Sequence, residues 1–555
     1  MATRRKLITV ILAALFVLGF KIMGPYLLVV NSVPGQISLT EEDRLRLLNA
    51  TIARIEPVSE AYRERVIQTF AGRSTDNLAL NERSGVVRLS QTILASFKLN
   101  LDIDQCNQLL QKIVVWGRAG SSWALHKTGD YDFALVWMTS ILYEFGDNED
   151  ILYPQTRDYL LNTLLTEQGR LNRMVPRSGG LIFDTENHLL MREGSRYLKN
   201  QWLKVHGTVP AHLDNDKNGL GDWLEQYLNH MRLKGTYEYN STPYVVYSLL
   251  PLMNLADYAE SKTIRGLAES ILDNIALRFA YGSFHLRQCA PFRRQFKYAE
   301  DPSLLLNRYH RYVEFQLDPT THHDDLLVFA SVFHDYTLPL TTYERLVNRD
   351  EEDYFALFAH EQKGSPEIYS GGKHYLLTAG GAYRGEGAKV IARPIALLLD
   401  DAAEMLSDCI HIEGKGHWKQ WNMTGVHRRF AIAKGRIFLP ERYQHAIIPG
   451  WNLLRANDNI TVAFYQGPDL VILLVLPDIE RAQDDLLRML KEKNPAPEKS
   501  KQFFWPEAIA PDTIQSIRFH VDADSSNWAI TAVDGNGPTP MKTTAFERWP
   551  FVLVN

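Results

Sequence analysis

The chain has 555 residues, more than one ordinary core holds, so two or more domains are expected. At 45% hydrophobic residues it is a folded protein, and a net charge of −5 argues against a general nucleic-acid binder. Its three cysteines, Cys106, Cys289 and Cys409, are too far apart for a zinc knuckle or a disulfide framework.

Residues 1–30 read as a signal peptide or signal anchor. "MATRRK" is basic, "LITVILAALFVLGF" is an apolar run of signal-peptide length, and no A-x-A site follows. The body is therefore expected to be exported, periplasmic or extracellular, with residues 7–30 as a tether to the membrane. Residues 31–362 carry helical periodicity. "SLTEEDRLRLLNATIARI" opens with Ser38 and Glu41 at capping-box spacing, and "PQTRDYLLNTLLTEQG" places its proline first. "YDFALVWMTSILYEF", "GDWLEQYLNHMRLKG", "TPYVVYSLLPLMNLADYAE" and "KTIRGLAESILDNIALRFA" have apolar residues three and four apart. Short polar loops between helices, with no strand runs, predict stacked helical hairpins.

Residues 363–555 change in texture. "HYLLTAGGAY", "VIARPIALLL", "RRFAIAKGRIFLP", "ITVAFYQG", "LVILLVLP", "IRFHVDA" and "WAITAVDG" are short β-type runs punctuated by turn residues. They predict an antiparallel β-sandwich, interrupted by one helix at "IERAQDDLLRMLKEKN".

Four stretches of the helical part carry chemistry. In "FDTENHLLMREGSRYL", Asp184, Thr185 and Glu186 are accounted for by helix capping, whereas Asn187 and His188 are not. "DNDKNGLGDWLE" places Asp214, Asp216, Asn218, Asp222 and Glu225 at positions 1, 3, 5, 9 and 12 of a calcium loop, with glycine at position 6. One structural Ca²⁺ is expected there if the loop is not simply a solvated turn. "KGTYEYNSTPYVVYSLLPL" brings Tyr239, Asn240, Tyr244 and Tyr247. "SFHLRQCAPFRRQFK" brings Arg287, Arg293 and Arg294, a basic stretch suited to an anionic ligand.

The order Asn-His, then a Tyr-x-x-Tyr helix, then an arginine cluster resembles the toroidal polysaccharide lyases. These are the alginate-lyase-like and heparinase II/III-like enzymes. The resemblance implies an (α/α) toroid followed by an antiparallel β-sandwich, and cleavage of a uronic-acid-containing, anionic polysaccharide by β-elimination. It implies Asn187 as neutraliser of the uronate carboxylate. His188 and Tyr244 would be the proton-transfer groups, with Glu186, Tyr239, Asn240, Tyr247, Arg287, Arg293 and Arg294 against substrate. The chain departs from the alginate-lyase pattern at Val245, where a histidine is expected, and at Tyr237, where an arginine is expected. The chemistry fits the residue types: an amide or cation on the carboxylate stabilises the enolate-like intermediate, and a positioned base takes the C5 proton. Two readings compete. A glycoside hydrolase would use paired carboxylates drawn from Asp184, Glu186 and Glu238. A non-catalytic envelope factor would bind carbohydrate without turnover.

Overall fold

In the computed structural model the described residues are 35–536, apart from 124, 237, 290–291, 293–300, 349–352, 359–366, 381–394, 402, 414–423, 478, 480, 511–513 and 521–529, together with 14, 17 and 19. The expected tether at 7–30 lies outside them but for those three residues. Among the described residues no helix is long and apolar enough to cross a membrane.

Helices come first. They are α1 Glu41–Asn49, α2 Glu60–Ala71, α3 Arg83–Lys98, α4 Ile103–Lys112, α5 Asp132–Phe145, α6 Pro154–Tyr159, α7 Glu186–Val205, α8 Leu220–Lys234, α9 Val245–Tyr258 and α10 Lys262–Gly282. A two-stranded hairpin follows, β1 Ser283–Phe284 and β2 Arg287–Gln288, and then α11 Arg308–Leu317, α12 Leu326–Ser331 and α13 Leu340–Val347. The helix at residue 41 is capped by Thr40, not by Ser38. The Thr40 hydroxyl accepts from the Asp43 N–H at 3.1 Å, because Thr40 is the last extended residue before the turn.

Helices α3, α5, α7 and α9 run the same way. At their starts Arg83 meets Asp130 at 3.2 Å, Asp132 meets His188 at 2.6 Å, and the Glu238 N–H meets Glu186 at 3.3 Å. At their ends Lys98 meets Glu144 at 3.3 Å, Gly146 abuts the Trp202 ring, and Gln201 donates to the Tyr258 carbonyl at 2.7 Å. Helix α9 packs on α12, α12 on α2 and α2 on α3, with Phe70 stacked on Phe329 at 3.8 Å. Helices α8 and α10 return antiparallel to these. They deliver their C-terminal ends to the side where α5, α7 and α9 begin, shown by Arg278 donating to Thr236 at 3.1 Å.

The β part is antiparallel throughout. A six-stranded sheet runs in the order β10 Arg436–Phe438, β7 Ile410–Glu413, β6 Ile395–Leu399, β5 Tyr375–Gly380, β4 Glu367–Gly372 and β3 Tyr354–Phe358. A five-stranded sheet runs β11 Gly450–Arg455, β12 Ile460–Gln466, β13 Val471–Pro477, β9 Phe430–Ala433 and β8 Thr424–His427. A third sheet joins β14 Gln502–Phe504, β15 Ser516–Phe519 and β16 Ile530–Val533. The expected helix is present as α14 Gln483–Lys493, with a short α15 Pro497–Ser500 after it.

The six-stranded sheet is apolar on both faces, because alternate residues of a strand point opposite ways. Phe355 and Leu357 of β3 and Leu377 of β5 share one core with the five-stranded sheet. Tyr354, Ala356, Tyr369 and Leu376 share another with Phe284, Leu304 and Leu305 of the helical part. This sheet starts at Tyr354, ahead of the expected boundary at 363, because β3 is an edge strand too short to stand out in the sequence.

Candidate functional site

The cleft lies where α7, α8, α9 and α10 meet the six-stranded sheet. Glu186 starts α7. Thr236, Glu238, Tyr239 and Asn240 follow α8. Val245 and Ser248 open α9, and Ile275, Arg278 and Phe279 end α10. Gln288 of β2, with Asn307 and Tyr309 at the start of α11, closes it. The centre of a water molecule reaches about 20 Å³ of this space, room for one or two waters and not for a sugar ring.

A buried polar network ties the cleft to the sheet. Glu367 on β4, fully buried, accepts from Arg278 at 2.9 Å, from Asn240 at 3.0 Å and from the Tyr369 hydroxyl at 2.5 Å. Asn240 accepts from Gln288 at 2.8 Å, and Gln288 accepts from Asn307 at 2.9 Å. Burial, with the Glu367 charge, holds the Tyr369 hydroxyl well above the ordinary tyrosine range, so it donates to the carboxylate as a neutral group. A buried carboxylate satisfied by an arginine, an amide and a hydroxyl is stable only while all of them stay in place. The network therefore fixes Asn240 and Gln288 in the cleft wall.

Three consecutive residues at the start of α7 fan out, as about 100° per residue requires. Glu186 faces the cleft. Asn187 is wholly buried; its Oδ1 accepts from the Thr185 hydroxyl at 2.7 Å, and its Nδ2 has no hydrogen-bond partner among the described residues. His188 turns to α5: Nδ1 lies 2.6 Å from Asp132, Nε2 4.0 Å from Asp130, and the ring stands edge-on to Phe133. Burial alone would lower the His188 pKa. The Asp132 carboxylate, with Asp184 and Asp130 behind it, outweighs burial and pushes it up to about 9. His188 is thus an imidazolium at neutral pH, a fixed positive charge and not a free base.

Other expected residues separate. Tyr239 and Asn240 line the cleft with Glu186. Tyr244 caps α9 half-buried at the same end of the helices, and does not line the cleft; Tyr247 packs edge-on against Phe133 at 4.5 Å. Arg287, expected at an anionic ligand, donates instead to the backbone carbonyls of Leu399 at 3.0 Å and Asp401 at 3.1 Å, because β2 brings it to the end of β6. Arg293 and Arg294 lie outside the described residues. Asp184 is spent on Arg192 at 3.0 Å and on the Ser121 hydroxyl at 2.5 Å.

The calcium-loop residues are not brought together. Asp214 meets Lys204 at 2.9 Å and Lys217 at 3.2 Å, and Asp216 meets Lys204 at 2.6 Å. Asn218 bonds backbone, with its Oδ1 accepting from Leu220 N–H, and Glu225 holds Arg44 through both oxygens at 2.7 and 3.0 Å. Asp222, in the first turn of α8, is not gathered with the others.

Sequence reasoning did not single out Arg278, Gln288, Asn307, Tyr309 or Glu367. Arg278 had one local signal: an arginine in the otherwise apolar stretch "IALRFA", where burial demands a partner. The chain matches no family model and no curated protein.

Proposed function

We propose that the chain cleaves a uronic-acid-containing, anionic polysaccharide by β-elimination in the cleft of its helical part that backs onto the six-stranded sheet. The observation that carries this reading is the meeting of the starts of α5, α7 and α9 at one end. Tyr239, Asn240 and Arg278 line the cleft there with Glu186, and Asn187, His188 and Tyr244 belong to the same helix starts. Parallel helix starts favour negative charge in a ligand. The packing series α2, α3, α5, α7, α9 and α12, returning to α2, supports an (α/α) toroid. The core shared by the two large sheets supports a β-sandwich.

In this reading the Asn187 amide, whose Nδ2 has no partner among the described residues, neutralises the uronate carboxylate once the cleft opens, and His188 holds a positive charge behind it on Asp132, so that the C5 proton becomes removable. Tyr239 and Tyr244 form the proton-transfer pair: one, as a phenolate, takes that proton, and the other, as a hydroxyl, protonates the leaving O4. The cleft must widen to admit a sugar. Two of its wall residues, Arg278 and Asn240, are held from behind by Glu367 of the sheet, so a shift between the helical part and the sheet would open it. Export and tethering through residues 7–30 belong to the same proposal, as does Ca²⁺ at Asp214–Glu225, which would have to displace Lys204 and Arg44.

One observation favours hydrolysis as a second reading. Glu186 and Glu238 both line the cleft, and Glu186 Oε1 accepts from the Glu238 N–H at 3.3 Å. Variants separate the two on a panel of uronic-acid polymers. Under elimination, Tyr239→Phe or Tyr244→Phe lowers turnover by about two to four orders of magnitude, the worth of a positioned acid or base. Glu186→Gln and Glu238→Gln then cost far less. The reverse ranking assigns the cleft to hydrolysis, and no turnover by any form assigns it to binding alone.

A further inference from the structure

We propose that His310, Glu314 and His322 bind one first-row divalent cation of the zinc class. This does not rest on the reading of the cleft. His310 and Glu314 are four apart on α11, on one face of the helix, and His322 comes from the loop that follows. Glu314 Oε2 lies 2.9 Å from His310 Nε2 and 2.5 Å from His322 Nε2. The two rings stand edge to face with centroids 6.0 Å apart. Among the described residues no other group of three His, Cys, Asp or Glu side chains converges in this way.

The hydrogen bonding around His310 prepares it as a ligand. Its Nδ1 lies 2.9 Å from the Leu286 carbonyl, which only accepts, so Nδ1 carries the hydrogen. Nε2, the other ring nitrogen, is thereby left to face the Glu314 carboxylate. A metal-ligating histidine that donates its other nitrogen to a backbone carbonyl is the usual outer-shell arrangement.

Among the described residues no lysine or arginine pairs with Glu314. Among the described residues its partners are the two imidazoles alone. This contrasts with Asp214 and Glu225, which are held by lysine and arginine. Two imidazole nitrogens and one carboxylate oxygen are borderline donors that suit zinc and its neighbours, not calcium or magnesium. Tetrahedral zinc bonds place donors about 3.3 Å apart, so the three side chains must open by a few tenths of an ångström or more. The Glu314 and His322 side chains are 33% and 27% exposed, which gives them that freedom and leaves a path for entry. The bound ion would lock α11 to the 318–325 loop. Through Leu286 it would also brace the β1–β2 hairpin, whose Gln288 bonds Asn240 and Asn307 in the cleft wall.

The test uses the full chain, stripped of metal, dialysed and titrated with zinc alone by calorimetry. One zinc per chain is expected at micromolar or tighter affinity, with a higher Tm on binding. Calcium at the same concentration should leave this site unfilled. His322→Asn, at a partly exposed loop position whose φ of +54° asparagine adopts readily, and Glu314→Gln should each weaken zinc binding by about 100-fold or more. Cobalt in place of zinc should give visible bands of tetrahedral intensity that both variants lose. Absence of stoichiometric zinc, or binding unchanged in both variants, overturns the assignment.

Discussion

Asp132→Asn probes the His188 ion pair most sharply. The substitution keeps the shape of the side chain and removes the charge 2.6 Å from His188 Nδ1. Both groups are buried, and the pair lifts His188 from the ordinary 6.5 to about 9 against its burial. At about 1.4 kcal/mol for each pH unit, this coupling stabilises the fold by about 3 kcal/mol. The folded-state value is the raised one, so the stabilisation is complete below pH 6.5 and is lost as pH climbs through about 9. Chemical denaturation of both proteins from pH 6 to pH 10 measures the effect. Subtracting one curve from the other cancels the remaining titrating groups. A gap of about 3 kcal/mol at pH 6 that closes toward pH 10 is expected. Asp130 and Asp184, which also favour the imidazolium, keep a small remainder. A gap constant with pH refutes the reasoning, since an ordinary hydrogen bond would account for it.

Other perturbations test the frame around the site. Gly120 has φ +113°, and a Cβ there would meet Asp184 Oδ2 at 2.4 Å and Arg192 Nη1 at 2.6 Å. Gly120→Ala should therefore disrupt the buried Asp184–Arg192 pair and cost on the order of 3 kcal/mol in denaturant unfolding; an unchanged midpoint would contradict this. Phe329→Ala removes the ring stacked on Phe70 where α12 meets α2, and should cost about 3–5 kcal/mol, read in the same way. For the Asp214–Glu225 loop, a saturable rise in Tm with calcium supports the calcium proposal. An unchanged transition assigns the loop to the lysine-bridged turn described by its contacts.

The change from helical to β texture near residue 360 was legible, because apolar periods of 3.6 and 2 differ over any ten residues. Strands β3, β4, β7, β8, β11 and β14 were not, since each is short, or an edge, or polar enough to pass for a loop. "EIYSGG" carries buried Glu367 for the cleft network and so breaks the apolar run. Within the site, Glu186, Tyr239 and Asn240 were found because they sit in compact, unusual local motifs. Arg278, Gln288, Asn307 and Glu367 were missed because their roles come from partners 19 to 127 residues away. Arg287 and Asp184 looked functional in sequence for the same reason: a charge reads as free until its buried partner is known.

Elimination and hydrolysis leave different sugars, and one measurement separates them. The purified chain is incubated with a uronic-acid polymer, and ultraviolet absorbance and new reducing ends are followed together. The account predicts that absorbance from an unsaturated terminal ring rises in step with the new ends. New ends without that band contradict it.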